Sequence, residues 1–234
     1  MNAEEFYQQA FRDEVAALQA ASLCDVGCGA GALVAHAQSL GVFAAGVDPD
    51  AAKVAEGSAA GLDLREASAE TLPFPDASFD LVTFEYSLHH VTDIAQALAE
   101  AARVARRAIV ILDPWFDLSI PSQVLGDRFE RWLKKLDRMT GMVHWDPIPA
   151  GEIMGALAGV PMARIDVRHL LQLTPLTPER FEQLANRALP SMSTEAFSDA
   201  YVAAGMDREI AAIRAEFARI GISEAGALLM TMMK

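Results

Sequence analysis

The chain has 234 residues and carries 19 Lys and Arg against 32 Asp and Glu, a formal net charge of −13 at pH 7. This length suits one α/β domain with a sizeable core, and 52% apolar residues exclude a disordered chain. A sequence pI of about 4.7 argues against a nucleic-acid binder and a polybasic membrane-surface protein, because both need clustered Lys and Arg. The acidity is concentrated in residues 1–114, which hold 6 basic and 17 acidic side chains.

The sequence predicts neither a secretory leader nor a membrane span. Residues 1–5 are acidic and lack the apolar segment that follows the positive region of a leader. Residues 26–47 lack charged side chains, but five glycines among them make a poor hydrocarbon helix. Cys24 and Cys28 are too few for a disulfide framework, and their spacing is not C-x-x-C. Together these features predict a reduced, cytoplasmic location.

Apolar runs alternate with helical stretches along the first half of the chain. An amphipathic helix is predicted over residues 3–20. Five strands are predicted at 22–26, 42–47, 62–66, 79–84 and 108–112, and helices between them at 30–40, 49–60 and 93–105. This alternation is typical of an α/β fold, in which helices cover both faces of a parallel sheet.

The alternation stops after Pro114. We predict a helical insertion or substrate lid at 115–148, with one or two helices over 117–139 and a loop over 141–149. The C-terminal part, 149–234, is predicted to contain a short helix at 152–157, a strand at 163–173 and an apolar terminal strand at 227–233. Helices at 177–188 and 194–220 form a second insertion at about 174–222. We expect a single compact domain overall.

A glycine-rich motif follows the first predicted strand. Asp25 ends the strand, and Gly27, Gly29 and Gly31 then form a D-x-G-x-G-x-G loop that opens a helix. Glycines allow a sharp turn and close approach of a ligand, and the helix N-terminus offers free N–H groups. Asp48 ends the next strand, where a carboxylate can accept both hydroxyls of a ribose. The arrangement predicts a nucleotide-type site at the carboxyl edge of the sheet.

The glycine loop alone does not exclude NAD, because a looser dinucleotide fingerprint also fits it. Asp25 favours a different ligand. Its carboxylate would repel a pyrophosphate and attract the ammonium group of a methionine moiety. An NAD-dependent oxidoreductase stays as the least favoured alternative.

The motifs of residues 23–114 resemble those of the class I S-adenosylmethionine-dependent methyltransferases, in the ubiquinone/menaquinone-biosynthesis group. The most specific matching segment is Leu72-Pro73-Phe74-Pro75-Asp76-Ala77-Ser78-Phe79-Asp80, supported by Leu88-His89-His90 and Glu100-x-x-Arg103. The resemblance implies a Rossmann-like, seven-stranded, mostly parallel sheet with an antiparallel terminal strand. It also implies S-adenosylmethionine as cofactor, S-adenosylhomocysteine as product, and in-line methyl transfer to a small-molecule acceptor.

The resemblance further implies roles for individual residues. Those expected to bind the cofactor are Asp25, Gly27, Cys28, Gly29, Gly31, Asp48, Pro49, Ser68, Ala69, Phe84 and, as part of a lid, Tyr7. The resemblance implies that Asp25 and the first glycines bind the methionine end of the cofactor. It implies that Asp48 binds the ribose and that Ser68 and Ala69 border the adenine. Two positions depart from the family pattern. Ser68 replaces the usual Asp, and Arg106-Arg107-Ala108 lacks the usual Pro-Gly turn before the fifth strand.

Candidate catalytic residues lie after the fourth strand. Glu85, His89 and His90 are the candidates for a general base, which is needed only if the acceptor arrives protonated. Alternatively, the two histidines only support a family turn. No metal is expected, because the five histidines form no H-x-x-x-H face and the rings of His89 and His90 should diverge.

The insertion at 115–148 suggests an acceptor type. Four cations spaced to share a helix face form either a solvated stripe or a docking face for an anionic acceptor: Arg128, Arg131, Lys135 and Arg138. His144 could reach the site. Aromatic residues could wall an apolar pocket: Trp115, Phe116, Trp132 and Trp145. The acceptor is therefore expected to be anionic or aromatic. A non-catalytic cofactor-binding regulator and an RNA-modifying enzyme remain alternatives, and the sequence leaves the oligomeric state open.

Overall fold

The computed structural model describes residues 2–187 and 194–234. These form two compact units, the first made of residues 1–114, 148–170 and 227–234, and the second of 115–147 and 171–226. The two predicted helical insertions, 115–148 and 174–222, thus fall together in the second unit, where the sequence suggested one domain. Residues 188–193, within the second insertion, lie outside the described residues, as does Met1.

The first unit contains the sheet. Its elements in chain order are α1 (Ala3–Ala17), β1 (Ser22–Val26), α2 (Ala32–Ser39), β2 (Phe43–Asp48), α3 (Ala51–Ala59), β3 (Asp63–Glu66), β4 (Phe79–Glu85), a 3₁₀ turn (Leu88–His90), α4 (Ile94–Val104), β5 (Ala105–Trp115), α6 (Ala150–Ala156), β6 (Arg164–Leu170) and β7 (Gly226–Met233). The helix α5 lies between β5 and α6 in the chain and belongs to the second unit.

The strands form one seven-stranded sheet in the order β3-β2-β1-β4-β5-β7-β6. The pairs β2–β3, β1–β2, β1–β4 and β4–β5 are parallel, whereas β6 and β7 pair antiparallel. The predicted Rossmann-like fold with an antiparallel terminal strand is therefore confirmed. Because β1, β2, β4 and β5 run the same way, their carboxyl ends meet at one edge of the sheet.

The central strands are apolar because helices cover both faces of the sheet. All five residues of β1 are buried, and so is the run from Ala108 to Asp113 in β5. Among the polar residues buried in these strands are Asp25 in β1 and Thr83 in the neighbouring strand β4. The two are register partners, and this pairing is part of the candidate site described below.

The strand β5 begins at Ala105, directly after α4, so Arg106-Arg107-Ala108 belongs to the strand, which was predicted to begin at residue 108. Ala105 is fully buried, and the two arginines extend outward. Arg106 Nε donates to Asp80 Oδ1 at 3.0 Å, and Arg107 donates to the Leu18 carbonyl at 2.8 Å. These bonds hold both side chains at the amino end of the strand, where the family pattern has a Pro-Gly turn.

Arg103 on α4 holds the segment of residues 72–80, the most specific part of the sequence resemblance, in place. Its guanidinium donates to the carbonyls of Phe74 at 2.9 Å and Leu72 at 3.2 Å, and to the Asp76 carboxylate at 2.8 Å. Glu100 accepts from the same guanidinium at 2.7 Å and from the Leu72 N–H at 2.9 Å. The two distant motifs, residues 72–80 and Glu100-x-x-Arg103, are therefore one hydrogen-bonded clamp.

The second unit is helical. It contains α5 (Pro121–Met139), α7 (Pro178–Ala185), α8 (Glu195–Ala203) and α9 (Met206–Ile220) around its own apolar core. The helix predicted over 194–220 is interrupted at Gly205, which has φ +72 and separates α8 from α9. The helix predicted to reach residue 188 ends at Ala185, and Ala188 lies outside the described residues.

In the part of the chain that the structure describes, no helix has the length and hydropathy needed to cross a lipid bilayer. The longest, α5, has 19 residues and includes the charged run Lys134, Lys135, Asp137 and Arg138.

Replacing the clamp arginine should destabilise the first unit. In Arg103→Met the carbonyls of Leu72 and Phe74 lose their donor, which should lower the free energy of unfolding by about 2 kcal/mol. Urea denaturation followed by circular dichroism measures the change. Arg164→Met is the matched control, because its ion pair with Asp166 is exposed and should contribute less than ~0.5 kcal/mol. Equal effects of the two substitutions would contradict the clamp.

Candidate functional site

The loop between β1 and α2 adopts a backbone that requires glycine. Gly27, Gly29 and Gly31 have φ values of +74, +55 and +88, in the left-handed region that disfavours side chains. A Cβ added to Gly27 would also lie 2.4 Å from the Cβ of Ser87. A Cβ at Gly29 would meet only Lys53 Cδ, at 3.9 Å, so this glycine is loosely packed. The loop therefore presents bare backbone that a ligand can approach.

Asp48 ties this loop to the end of β2. Its Oδ2 accepts from the Gly29 N–H at 2.8 Å, and its Oδ1 accepts from the Asp50 N–H at 2.9 Å. The carbonyl of Val47 accepts from the N–H groups of Gly27 and Cys28. The carboxylate thus shapes the loop, and each oxygen retains a lone pair for a ribose hydroxyl. The sequence predicted only the ribose role of Asp48.

Asp25 is buried at the centre of the sheet, 4% exposed. Its hydrogen-bonding partner is the Thr83 hydroxyl, 2.9 Å from Oδ1. Burial raises the pKa of Asp25 to about 8; the Thr83 bond lowers this pKa, and the charges of Glu85 and Asp48 raise it further. Near neutral pH the group is therefore largely protonated. A cation brought beside it would favour the carboxylate.

Cys28 lies in the glycine loop, where its side chain packs against β2. A Cβ at Gly46 would lie 2.6 Å from the Cys28 sulfur, so the thiol fills the space that this glycine leaves. Burial raises the pKa of Cys28 to about 12, with the charges of Asp25 and Asp48 adding to the shift. The thiol is accordingly a packing group and a poor nucleophile.

The residues predicted near the adenine lie beyond β2 and β3. Pro49 is exposed in the turn after Asp48, and Ala69 is 9% exposed. The Ser68 hydroxyl is hydrogen-bonded to the carboxylate of Glu70, which also accepts from the N–H groups of Thr92 and Asp93. These three bonds lower the pKa of Glu70, although burial opposes them. Ser68 is thus engaged with a neighbouring carboxylate.

Phe84 and Glu85 end β4 at the same sheet edge. The side chain of Phe84 is fully buried, which leaves its backbone as the part that could contact a cofactor. Burial raises the pKa of Glu85, and the nearby Arg12 guanidinium opposes this rise. Tyr86 follows with φ +53, a strained value for a residue with a side chain, and turns the chain into the 3₁₀ helix.

In this 3₁₀ turn the side chain of His89 is buried and that of His90 is exposed. His89 is 5% exposed, and its Nδ1 lies 2.6 Å from Oδ1 of Asp113, which is fully buried near the end of β5. The ring centroids of His89 and His90 are 4.3 Å apart, so the expectation that the rings diverge is wrong.

Sequence reasoning missed Asp113, although a signal was present. It stands near the end of a fully apolar predicted strand, as Asp25 and Asp48 do. An acid at that position of a parallel sheet lies at the ligand-binding edge.

The first helix contributes aromatic residues. Tyr7 is 2% exposed and belongs to the apolar core, whereas Phe6 is 40% exposed and contacts the Tyr7 ring edge-on at 5.5 Å. The Tyr7 charge is one of those that raise the pKa of Tyr86, after burial and the charge of Glu4. The start of α1 therefore lies close to the end of β4, and Tyr7 packs there as a core residue.

The cationic residues of α5 are all engaged within the second unit. Arg128 pairs with Glu216, Arg131 with Asp127 and Asp146, Lys135 with Glu209 at 2.9 Å, and Arg138 with Asp146 at 3.2 Å. His144 Nδ1 lies 2.7 Å from Oδ2 of Asp137 on the same helix. The stripe predicted as a docking face for an anion is therefore a set of ion pairs, which removes the basis for an anionic acceptor.

The aromatic residues of 115–148 do not act as one wall. Trp132 is fully buried and donates its Nε1–H to the Met206 carbonyl at 3.0 Å, whereas Trp145 is 46% exposed. A cavity of about 150 Å³ lies within this unit. Its lining includes Phe116, Phe129 and Leu133 but neither of these tryptophans.

Burial of Asp25 should make the first unit less stable as the pH rises. Its folded pKa of about 8 exceeds the unfolded value of 3.8, so its contribution is complete below pH 3.8 and declines up to about pH 8. Asp25→Asn removes this decline. From pH 5 to pH 8, the change in its free energy of unfolding should therefore be more favourable than that of wild type by at least ~1 kcal/mol.

Urea denaturation at the two pH values measures the difference for Asp25→Asn. Glu56→Gln, an exposed substitution on α3, is the control and should follow wild type. A parallel pH dependence in wild type and Asp25→Asn would contradict the assignment.

The geometry places the glycine loop and Asp48 at the carboxyl edge of a Rossmann-like sheet, and the comparisons with known proteins narrow the class of protein. A family model described as a methyltransferase domain matches residues 24–111. The ajmaline N-methyltransferase of Rauvolfia serpentina is 29% identical over 158 residues, which are 62% of this chain and 53% of that protein. The ubiquinone/menaquinone biosynthesis C-methyltransferase UbiE of Xanthomonas campestris pv. campestris is 52% identical over 50 residues, 21% of this chain and 20% of that protein.

Among solved structures, a SAM-dependent methyltransferase from Archaeoglobus fulgidus aligns with a TM-score of 0.61 at 13% identity. The alignment covers 100% of this chain and 95% of that one, and it shows the shared fold. The chain spans about half or less of the length of the curated relatives above. Residues 24–111 thus match a methyltransferase domain, and the chain is similar in sequence and fold to S-adenosylmethionine-dependent methyltransferases.

Proposed function

We propose that this protein transfers the methyl group of S-adenosylmethionine to a small-molecule acceptor. The observation that carries the proposal is the Gly27–Gly31 loop, whose backbone is loosely packed at Gly29 while Asp48 holds it at the sheet edge. The match of residues 24–111 to a methyltransferase domain supports the same function. The net charge of −11 in residues 1–114 disfavours RNA as the acceptor.

The residues present fit this cofactor. Asp25 is a buried carboxyl with Thr83 as its hydrogen-bonding partner, and a ligand ammonium group would compensate its charge. Asp48 accepts ribose hydroxyls with the lone pairs that the loop leaves unused. The remaining contacts are assigned to Gly27, Cys28, Gly29, Gly31, Pro49, Ser68, Ala69, the Phe84 backbone and, at the start of α1, Tyr7.

When bound, S-adenosylmethionine supplies an activated methyl group on a sulfonium centre. The chain has to align an acceptor with that methyl group and exclude water, because in-line displacement depends mainly on orientation. Glu85, His89 and His90 lie at the edge where the acceptor would approach and are the candidates for removing its proton. We also place the protein in the cytoplasm, since Cys24 and Cys28 are free thiols.

Binding of S-adenosylhomocysteine tests this function. We expect micromolar affinity by isothermal titration calorimetry, weakened at least tenfold, about 1.4 kcal/mol, in Asp48→Asn. Asparagine has one acceptor oxygen, so it cannot serve both the loop and a ribose. Asp50→Asn is the control. The side chain of residue 50 is exposed and caps α3, and its backbone N–H still donates to Asp48 in the variant.

A folded wild-type protein that does not bind S-adenosylhomocysteine would contradict the proposal, and binding of NADH instead would favour an oxidoreductase. Tight cofactor binding without turnover over a broad panel of acceptors would identify a regulator.

A further inference from the structure

The first unit contains a cavity of about 240 Å³ between α1 and α2. Three residues from each helix and the turn after it line the two facing walls: Arg12, Ala16 and Gln19 on one, and Leu33, Ala37 and Leu40 on the other. Both sets follow the same i, i+4, i+7 spacing, so each helix presents one face to the cavity. Gln19 and Leu40 are exposed, which places the mouth of the cavity at the protein surface.

The sheet closes the cavity on the side away from this mouth. Leu23 on β1 and Leu81 on β4 line that side, and these two buried residues are register partners in adjacent strands. Both lie toward the amino ends of their strands, whereas the glycine loop and Asp48 lie at the carboxyl edge. The described residues that line the cavity include none of those assigned to the cofactor. The cavity is therefore a separate place in the same unit for a ligand.

The cavity has a basic lining in an acidic part of the chain. Residues 1–114 hold 17 acidic and 6 basic side chains, yet the described lining residues include Arg12 and His36 and no Asp or Glu. Nε of Arg12 is buried and has no hydrogen-bonding partner among the described residues. Withdrawing part of a guanidinium from water without such a partner costs free energy.

The acids next to Arg12 in the sequence have other partners. Asp13 accepts from Gln9 at 2.7 Å, and Glu14 accepts from Thr231 at 2.7 Å. A carboxylate from outside the chain would compensate the guanidinium well, because it can accept two parallel N–H groups. A ligand amine would instead be repelled by the arginine.

The volume and the apolar walls indicate the rest of the ligand. An apolar protein cavity of roughly 150 Å³ holds benzene. The larger cavity here has room for one ring, a short linker and a carboxylate. Most of its lining is aliphatic, which favours an apolar body that water leaves readily.

We propose that this cavity binds a small monocarboxylate whose apolar body is about the size of one ring, and that Arg12 binds its carboxylate. The cavity is a second ligand site of the first unit, besides the cofactor edge.

The first experiment compares matched small probes on the wild-type full chain. Titration with 3-phenylpropionate, followed by ¹H–¹⁵N NMR, should show saturable binding with a Kd of about 1 mM or tighter. The amide 3-phenylpropionamide has the same ring and linker but no charge, and should bind at least tenfold more weakly. Acetate has the charge without the apolar body and should also bind at least tenfold more weakly. Absence of saturable binding, or equal affinity for the amide, would overturn the proposal.

The second experiment removes the charge. Arg12→Met keeps an apolar side chain of similar length, so it should weaken 3-phenylpropionate binding at least tenfold and leave amide binding unchanged. Arg164→Met removes the same charge at an exposed position on β6 and should bind like wild type. Undiminished carboxylate binding in a folded Arg12→Met would overturn the role of Arg12.

The third experiment fills the cavity without changing a charge. Ala16→Leu adds three carbon atoms to the cavity wall and should abolish detectable binding of 3-phenylpropionate. Ala17→Leu adds them at an exposed position of α1 that is not among the lining residues, and should bind like wild type. Circular dichroism checks the fold of each variant. Equal affinities of these two variants would overturn the assignment to this cavity.

Competition distinguishes the cavity from the cofactor edge. Saturating S-adenosylhomocysteine should leave 3-phenylpropionate bound, and its displacement would overturn the separate site. The cavity and the methyltransferase function fail in different ways. If S-adenosylhomocysteine does not bind, the methyltransferase function is contradicted, while the amide comparison and Ala16→Leu still decide whether the cavity is a carboxylate site.

Discussion

Four carboxyl groups converge where β2, β1, β4 and β5 end, and the site depends on how the fold accommodates their charge. Parallel strands in adjacent positions bring Asp48, Asp25, Glu85 and Asp113 to one edge of the sheet. Burial, together with the charges of Glu85 and Asp48, raises the pKa of Asp25. Each carboxyl group is accommodated in a different way.

Asp48 accepts two backbone N–H groups and in this way shapes the glycine loop. Asp25 has one hydroxyl partner, and burial keeps it largely protonated. Glu85 is half-buried and lies near the Arg12 guanidinium. Asp113 contacts the His89 ring through one oxygen. The edge can therefore accept a cationic ligand.

The sequence was informative wherever local chemistry determines the backbone. The glycine loop, the strands of the sheet and their order of appearance were predictable because left-handed turns, apolar strands and strand-ending acids leave strong local patterns. The clamp around Arg103 explains why two separated motifs, residues 72–80 and Glu100-x-x-Arg103, occur together. Family resemblance identified these motifs, and hydrogen bonding accounts for them.

The features of the site that the sequence did not predict depend on contacts between residues far apart in the chain. The His89–Asp113 bond spans 24 positions and needs the β4–β5 register, which no local pattern gives. The ion pairs of Arg128 and Lys135 involve acids on α9, so the helix spacing alone suggested a free cationic face. The role of Asp48 in shaping the glycine loop was not predicted, because its hydrogen bond with the Gly29 N–H depends on where the glycine backbone turns.

The most direct test of the account is the number of protons released when S-adenosylhomocysteine binds. Calorimetry at pH 7 in buffers of different ionisation enthalpy measures this number. Since the pKa of Asp25 is about 8, we expect close to one proton released per ligand bound at pH 7, and none in Asp25→Asn. Saturable binding with no dependence on the buffer in the wild-type protein would contradict the role of the buried carboxyl edge.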